Sequence, residues 1–406
     1  MITVVLFVCG FLLLVAAIEH YASKSRVPAP VWVLAAGVAY GYMGTHVTTL
    51  PELHIAPDIT FFVFLPVLLF ASARSIRLKE LAEVGVEAGV FAILGVGGVL
   101  GVLTLGMILI LQVDPKPALL LATALAGTNP MAIGAVLHKF GFPRRMHVLI
   151  EAESMLNDGV TVLLFTIVSA ILFQRTAFVV EYPVWGFFAV VAGGAVIGIG
   201  AGFVAHAVLC SWRALHDHFI GVLFPLITVY LVFVFAKQVL HHVSGIIAVM
   251  AVTLTMGALH ERAHTARGAV SKDQDRFFEQ FWGFASTLVN AIVFFVLGST
   301  IGAHAWNLDG LVVAALIALL IAARALSVYG CGALLWPTPW RVPLTWQHGL
   351  NLAGLKGSLS IALLLQLPSD YEHRLLFLCA AFVLVLFTLI ANPLIAQCLL
   401  KPVPSR

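Results

Sequence analysis

Long apolar runs separated by short polar stretches make up the chain from end to end. There are thirteen: about 2–19, 30–46, 59–74, 84–112, 117–137, 146–173, 183–211, 218–236, 242–259, 279–303, 308–336, 346–367 and 375–400. Most are close to the ~20 residues a helix needs to cross about 30 Å of hydrocarbon. A spanning backbone must satisfy its own hydrogen bonds, so each run predicts a helix. Outer-membrane barrel strands would instead alternate over segments of about ten residues. The most hydrophilic connection, about 260–278, holds Arg262, Arg267, Lys272 and Arg276 and is expected to be a loop. No stretch is long enough to fold as a separate soluble domain, so residues 1–406 are expected to form one transmembrane domain. The first run, from Met1 to about Glu19, has no basic leader and is expected to be a retained helix.

Composition narrows the class. Hydrophobic residues make up 61% of the 406 positions and charged residues only 10%, against about 25% charged in a soluble domain. A cytoplasmic enzyme, a secreted disulfide scaffold and a disordered chain are excluded, leaving an all-α polytopic membrane protein. The net charge of +3 and the lack of a basic cluster give no sign of nucleic-acid binding. Five cysteines without a CxxC spacing read as packing residues. His216, His218, His241 and His242 read as residues at segment ends rather than metal ligands. Gly357-Ser358 lacks a nucleophile–base constellation, and neither an enzyme activity nor a cofactor is expected.

Lysine and arginine positions orient the helices. Connections after odd-numbered runs, together with the C-terminus, hold 16 of the 22 basic residues, and connections after even-numbered runs hold 4. The positive-inside rule then puts the N-terminus outside and the C-terminus in the cytoplasm. Arg324 and Lys356 lie within runs.

Two runs are interrupted. The fifth carries Gly127-Thr128-Asn129-Pro130 and the twelfth Gly354-Leu355-Lys356-Gly357-Ser358. Their separation of seven runs gives them opposite orientations, as inverted repeats require. Paired broken helices of this kind point to a transporter's central site.

Ionisable groups within spanning helices are expensive, about 3 kcal/mol each, and tend to be functional. The sixth run has Glu151, Glu153 and Asp158, the last near mid-membrane. At 100° per residue, Glu151, Ser154, Asp158 and Thr161 share one face, while Glu153 and Asn157 form a second stripe. Arg324, midway along the eleventh run, stays protonated and needs a carboxylate. Glu153 is the expected partner, leaving the Asp158 face free; direct neutralisation of Asp158 by Arg324 is the alternative. A mid-membrane carboxylate can be neutralised by a proton or by a hard cation held through oxygen ligands. Thr128, Ser154, Asn129 and freed backbone carbonyls supply such oxygens.

These residues resemble a known family. Glu151-Ala152-Glu153-Ser154-Met155-Leu156-Asn157-Asp158-Gly159 is similar to the E-G-E-S-L-L-N-D-G signature of sodium/proton antiporters, the branch shared by prokaryotic members and the animal exchangers. Gly127-Thr128-Asn129-Pro130 resembles the family's T-D-P break, and Gly354-Leu355-Lys356-Gly357-Ser358 its G-L-R-G-A. Phe64-Leu65-Pro66-Val67-Leu68-Leu69-Phe70 and Arg324-Ala325-Leu326-Ser327-Val328-Tyr329 also match in order. The resemblance implies the thirteen-helix antiporter fold with two broken crossing helices, usually a homodimer in the cell (inner) membrane. It implies an ion-transporting core at about 84–173 and 308–400, and a dimerisation part at about 1–74 and 183–303. It implies a cation and proton site at Asp158 with Asn157, Ser154, Thr128 and Asn129 around it, a structural pair Glu153–Arg324, and Lys356 as the crossing-helix charge. Glu151 would line a cytoplasmic funnel. The implied substrates are protons and a monovalent cation (Na+, K+ or Li+).

The chain departs from the family pattern at three positions. Asn129 replaces an aspartate, Ala71 an acidic residue usual in prokaryotic members, and Lys356 an arginine. Fewer carboxylates weaken the attraction for a strongly hydrated cation. Glu87 is a candidate substitute ligand, at an unfavourable depth. Two other readings compete: an organic-acid or anion carrier clamping substrate with Arg324 and Lys356, and a relative that has lost transport.

Overall fold

A computed structural model describes every residue except 1, 23, 26, 48–54, 130–141, 174–182, 212–217, 239–242, 268–271, 305–308 and 400–406. The described residues form fourteen helices and no strand. They are α1 (Ile2–Ala22), α2 (Ala29–His46), α3 (Pro57–Arg74), α4 (Leu78–Leu111), α5 (Pro115–Ala124), α6 (Arg144–Leu172), α7 (Pro183–Ser211), α8 (His218–Gln238), α9 (Gly245–Arg267), α10 (Lys272–Ala303), α11 (Gly310–Leu335), α12 (Leu344–Leu352), α13 (Ser358–Leu365) and α14 (Arg374–Leu399). Among the described residues, α1, α3, α4, α6, α7, α8, α10, α11 and α14 are long and apolar enough to cross a membrane. The half-helices α5, α12 and α13 have 10, 9 and 8 residues, each about 15 Å or less in length and too short to cross alone.

Some helices extend well beyond their apolar runs. The stretch 260–278, expected as a loop, is helical through Arg267 and again from Lys272. Likewise α4 starts at Leu78, six residues before its apolar run. Hydropathy marks the hydrocarbon boundary, whereas a helix continues into water wherever its backbone bonds and charged side chains allow.

The described residues group into two compact units. The first comprises 1–60, 94–143 and 288–406. Its centre is α11 to α14, with α13 packed on α5 and on α14. All eight residues of α13 are buried, which explains why its sequence, Ser-Leu-Ser-Ile-Ala-Leu-Leu-Leu, has no polar face. Phe7, Phe11, Tyr40 and Phe295 form an aromatic cluster joining α1, α2 and α10, with ring centroids 5.1–6.4 Å apart.

The second unit comprises 61–93 and 144–287. Here α9 packs on α7, α8, α3 and α6. The contact between α7 and α9 is close enough that a Cβ on Gly198 would lie 2.3 Å from the Ala248 carbonyl oxygen. Trp282 is fully buried, its ring 3.9 Å from that of Phe70. Ion pairs link elements of this unit: Arg74–Glu279, Arg77–Glu261 (3.0 Å), Arg144–Glu80 (3.1 Å) and Arg145–Glu87 (2.7 Å).

Candidate functional site

Asp158 is the middle residue of α6, about 21 Å of helix from either end. Ser72 of α3, in the same unit, donates its hydroxyl to Asp158 Oδ2 at 3.3 Å. The second oxygen, Oδ1, is buried and has no hydrogen-bond partner among the described residues. It therefore has lone pairs available to a proton or a cation.

The second stripe of α6 is a ladder at i, i+4 spacing. The Asn157 amide donates to Glu153 Oε1 at 3.4 Å, and the Thr161 hydroxyl donates to Asn157 Oδ1 at 2.9 Å. Glu153, Ser154, Asn157 and Thr161 are all buried. Helical spacing puts Thr161 within reach of both stripes, and its hydrogen bond assigns it to the Glu153–Asn157 side. Glu151, two turns before Asp158, is partly exposed.

In the first unit the two breaks meet. The Asn129 amide N–H donates to the Leu355 carbonyl at 2.8 Å, joining the end of α5's break to the α12–α13 break. Lys356 is buried, and its Nζ donates to the Gly127 carbonyl at 3.1 Å. Its own N–H donates to the Thr388 hydroxyl of α14 at 3.0 Å. Helix C-termini present carbonyl oxygens with partial negative charge, so an ammonium near the ends of α5 and α12 offsets that charge. Thr128 is buried beside this crossing and Asn129 is partly buried. Ser358 donates to the Asn290 side chain of α10. Arg324, also buried, donates from Nη2 to the Leu350 carbonyl at 2.8 Å, at the C-terminal end of α12.

Asp158, Asn157, Ser154, Glu153 and Glu151 thus lie in one unit, and Thr128, Asn129, Arg324 and Lys356 in the other. Glu87, considered above as a substitute ligand, is buried against Arg145 at 2.7 Å. Pro130, His216, His241 and His242 lie outside the described residues, as do Arg26, Lys139, Arg175, Arg213, Lys401 and Arg406 from the charge asymmetry. Sequence reasoning did not find Ser72, Thr388 or Asn290. The available signal for Ser72 was a hydroxyl following the position where the family pattern has an acid.

A multi-pass helical protein with two crossed, interrupted helices and a carboxylate at mid-helix belongs to the class of secondary transporters. The chain matches the family described as "Sodium/hydrogen exchanger, transmembrane" over residues 10–401, and it belongs to that family, one of transporters rather than enzymes. It is 29% identical to the Na(+)/H(+) antiporter NhaG of Bacillus atrophaeus over 98% of this chain and 75% of that protein. It is also 29% identical to the Na(+)/H(+) antiporter ApNhaP of Aphanothece halophytica, over 86% of this chain and 65% of the relative. Its fold is similar to that of the sodium proton antiporter MjNhaP1 from Methanocaldococcus jannaschii solved at pH 8, with a TM-score of 0.73 and 16% identity, covering 97% of this chain and 95% of that one.

Proposed function

We propose that the protein is a secondary active antiporter that exchanges a monovalent cation for protons across the cell membrane, with Asp158 as the shared site. The observation that carries this reading is the environment of Asp158: a mid-helix carboxylate with one hydroxyl partner and one buried, unpartnered oxygen. Proton and cation compete for that carboxylate, and each leaves it neutral. Exposing the neutral site alternately to the two sides is then sufficient for coupled exchange. Ser154 and Asn157 contribute neutral oxygens from α6. Their neutrality agrees with a site of broad monovalent selectivity rather than a strongly anionic one.

Glu153, buried with Asn157 on the second stripe of α6, and Arg324, buried in α11, serve structure and leave Asp158 to the ions. Glu151 lines a cytoplasmic funnel. All thirteen apolar runs span the bilayer, with the N-terminus outside and the C-terminus in the cytoplasm. The chain works as a homodimer, with residues at about 84–173 and 308–400 moving ions and those at about 1–74 and 183–303 forming the dimer. The carrier reading, in which Arg324 and Lys356 clamp an anion, has less support, because both cations donate to backbone carbonyls at helix ends.

Reconstitution into liposomes with an internal pH dye tests the proposal. Addition of Na+, Li+ or K+ should dissipate an imposed pH gradient, and Asp158→Asn should abolish this while leaving monodisperse protein. Wild-type exchange in the Asn variant would refute the proposal.

A further inference from the structure

We propose that Ser72 is a cation ligand and a determinant of cation selectivity, acting beside Asp158 from α3; this rests on the reading of Asp158 given above. The Ser72 hydroxyl is 3.3 Å from Asp158 Oδ2, across 86 positions of sequence. In this direction the hydroxyl uses only its proton, so its lone pairs remain available to an ion seated against the carboxylate. The same group serves each state of the cycle. It donates to the bare carboxylate, ligates a cation through oxygen, and accepts a hydrogen bond when Asp158 carries the proton.

The register of α3 is what brings Ser72 to this place. Residues Thr60–Phe64 form a π turn at the start of the helix. A π turn takes up an extra residue and rotates everything after it by about 100° relative to a regular helix, and such turns occur often at functional sites. The turn is held by Tyr230 of α8, whose hydroxyl donates to the Val63 carbonyl at 2.7 Å. The residue aimed at Asp158 is therefore the hydroxyl of Ser72 and not the methyl of Ala71. A neutral oxygen from α3 stands beside Asp158 where the family pattern supplies a second carboxylate from this helix.

The test is apparent KM for Li+, Na+, K+ and Tl+ (as nitrates) in proteoliposomes of wild type, Ser72→Ala, Ser72→Thr, Ser72→Cys and Asp158→Asn. Ser72→Ala should raise KM for Na+ and Li+ by about ten-fold with a maximal rate within two-fold of wild type, and Ser72→Thr should restore it. Ser72→Cys should raise KM for Li+ and Na+ but spare Tl+, because a soft sulfur ligand suits only the soft ion. Equal losses for Li+ and Tl+ in the Cys variant would mean a packing role and overturn the proposal, as would wild-type KM values in Ser72→Ala. Should Ser72→Ala not purify as a folded protein, the Thr and Cys variants decide between the same outcomes. An inactive Asp158→Asn together with unchanged Ser72 variants rejects the Ser72 ligand while keeping Asp158. An active Asp158→Asn rejects both.

Discussion

Replacing Gly357 by alanine puts a methyl group into the crossing of the two broken helices. The added Cβ would lie 2.7 Å from the Cβ of Asn129, where ordinary contact begins near 3.4 Å. The backbone at Gly357, φ −112° and ψ −175°, is extended and suits alanine as well as glycine. The cost is therefore steric. Overpacking of this kind costs about 1–3 kcal/mol. The two bonds that hold the crossing, Asn129 N–H to the Leu355 carbonyl at 2.8 Å and Lys356 Nζ to the Gly127 carbonyl at 3.1 Å, would be stretched. Together they contribute on the order of 3 kcal/mol, the charged one more than the neutral. A total loss of roughly 2–4 kcal/mol is expected. Gly97→Ala is the control: Gly97 lies within α4, and its added Cβ would meet nothing within 4 Å. Alanine there should be neutral or mildly stabilising. The decisive measurement is thermal unfolding in detergent of Gly357→Ala, Asn129→Gly and the double variant. Removing the Asn129 Cβ should recover at least about 1 kcal/mol of the Gly357→Ala loss. A Gly357→Ala protein as stable as Gly97→Ala, or no recovery in the double variant, would refute the steric account.

Three further outcomes are expected. If Glu153 and Arg324 pair, removing either should cost about 3–5 kcal/mol and removing both less than the sum; additive losses in a thermal-stability cycle would exclude the pair. At Arg145–Glu87 the carboxylate side chain is 5% exposed and the guanidinium 52%. Arg145→Ala should therefore destabilise more than Glu87→Gln, because it strands a buried charge; the reverse order in unfolding temperature would contradict this. Transport should be electroneutral, because Asn157 cannot ionise and Arg324 stays protonated. Exchange rates in proteoliposomes clamped at zero and at about −100 mV should agree, since a net charge moved through the field would carry about 2.3 kcal/mol. A several-fold voltage dependence would bring Lys356 into the cycle.

The sequence alone determined the class of protein and the chemistry of its helices. Apolar runs of spanning length force helices, because a backbone in hydrocarbon has no other partner. Gly354-Leu355-Lys356-Gly357 interrupts its run where the chain leaves α12, since the break is encoded locally. The placement of Asp158 at mid-helix follows from counting along a regular period. Other features depended on tertiary packing. Lys356 reaches the Gly127 carbonyl across 229 positions, and Ser72 reaches Asp158 across 86. Neither partner has a local signature, because a hydroxyl or a carbonyl looks the same in sequence whether it meets a neighbour or not. The position of Ser72 further requires the π turn, and that turn is held by Tyr230 from another helix. Hydropathy also misjudged the stretch 260–278, because it reports where lipid ends rather than where a helix ends. Local sequence sets which segments are helical and where they break, while the meeting of distant polar groups is set by how the helices pack.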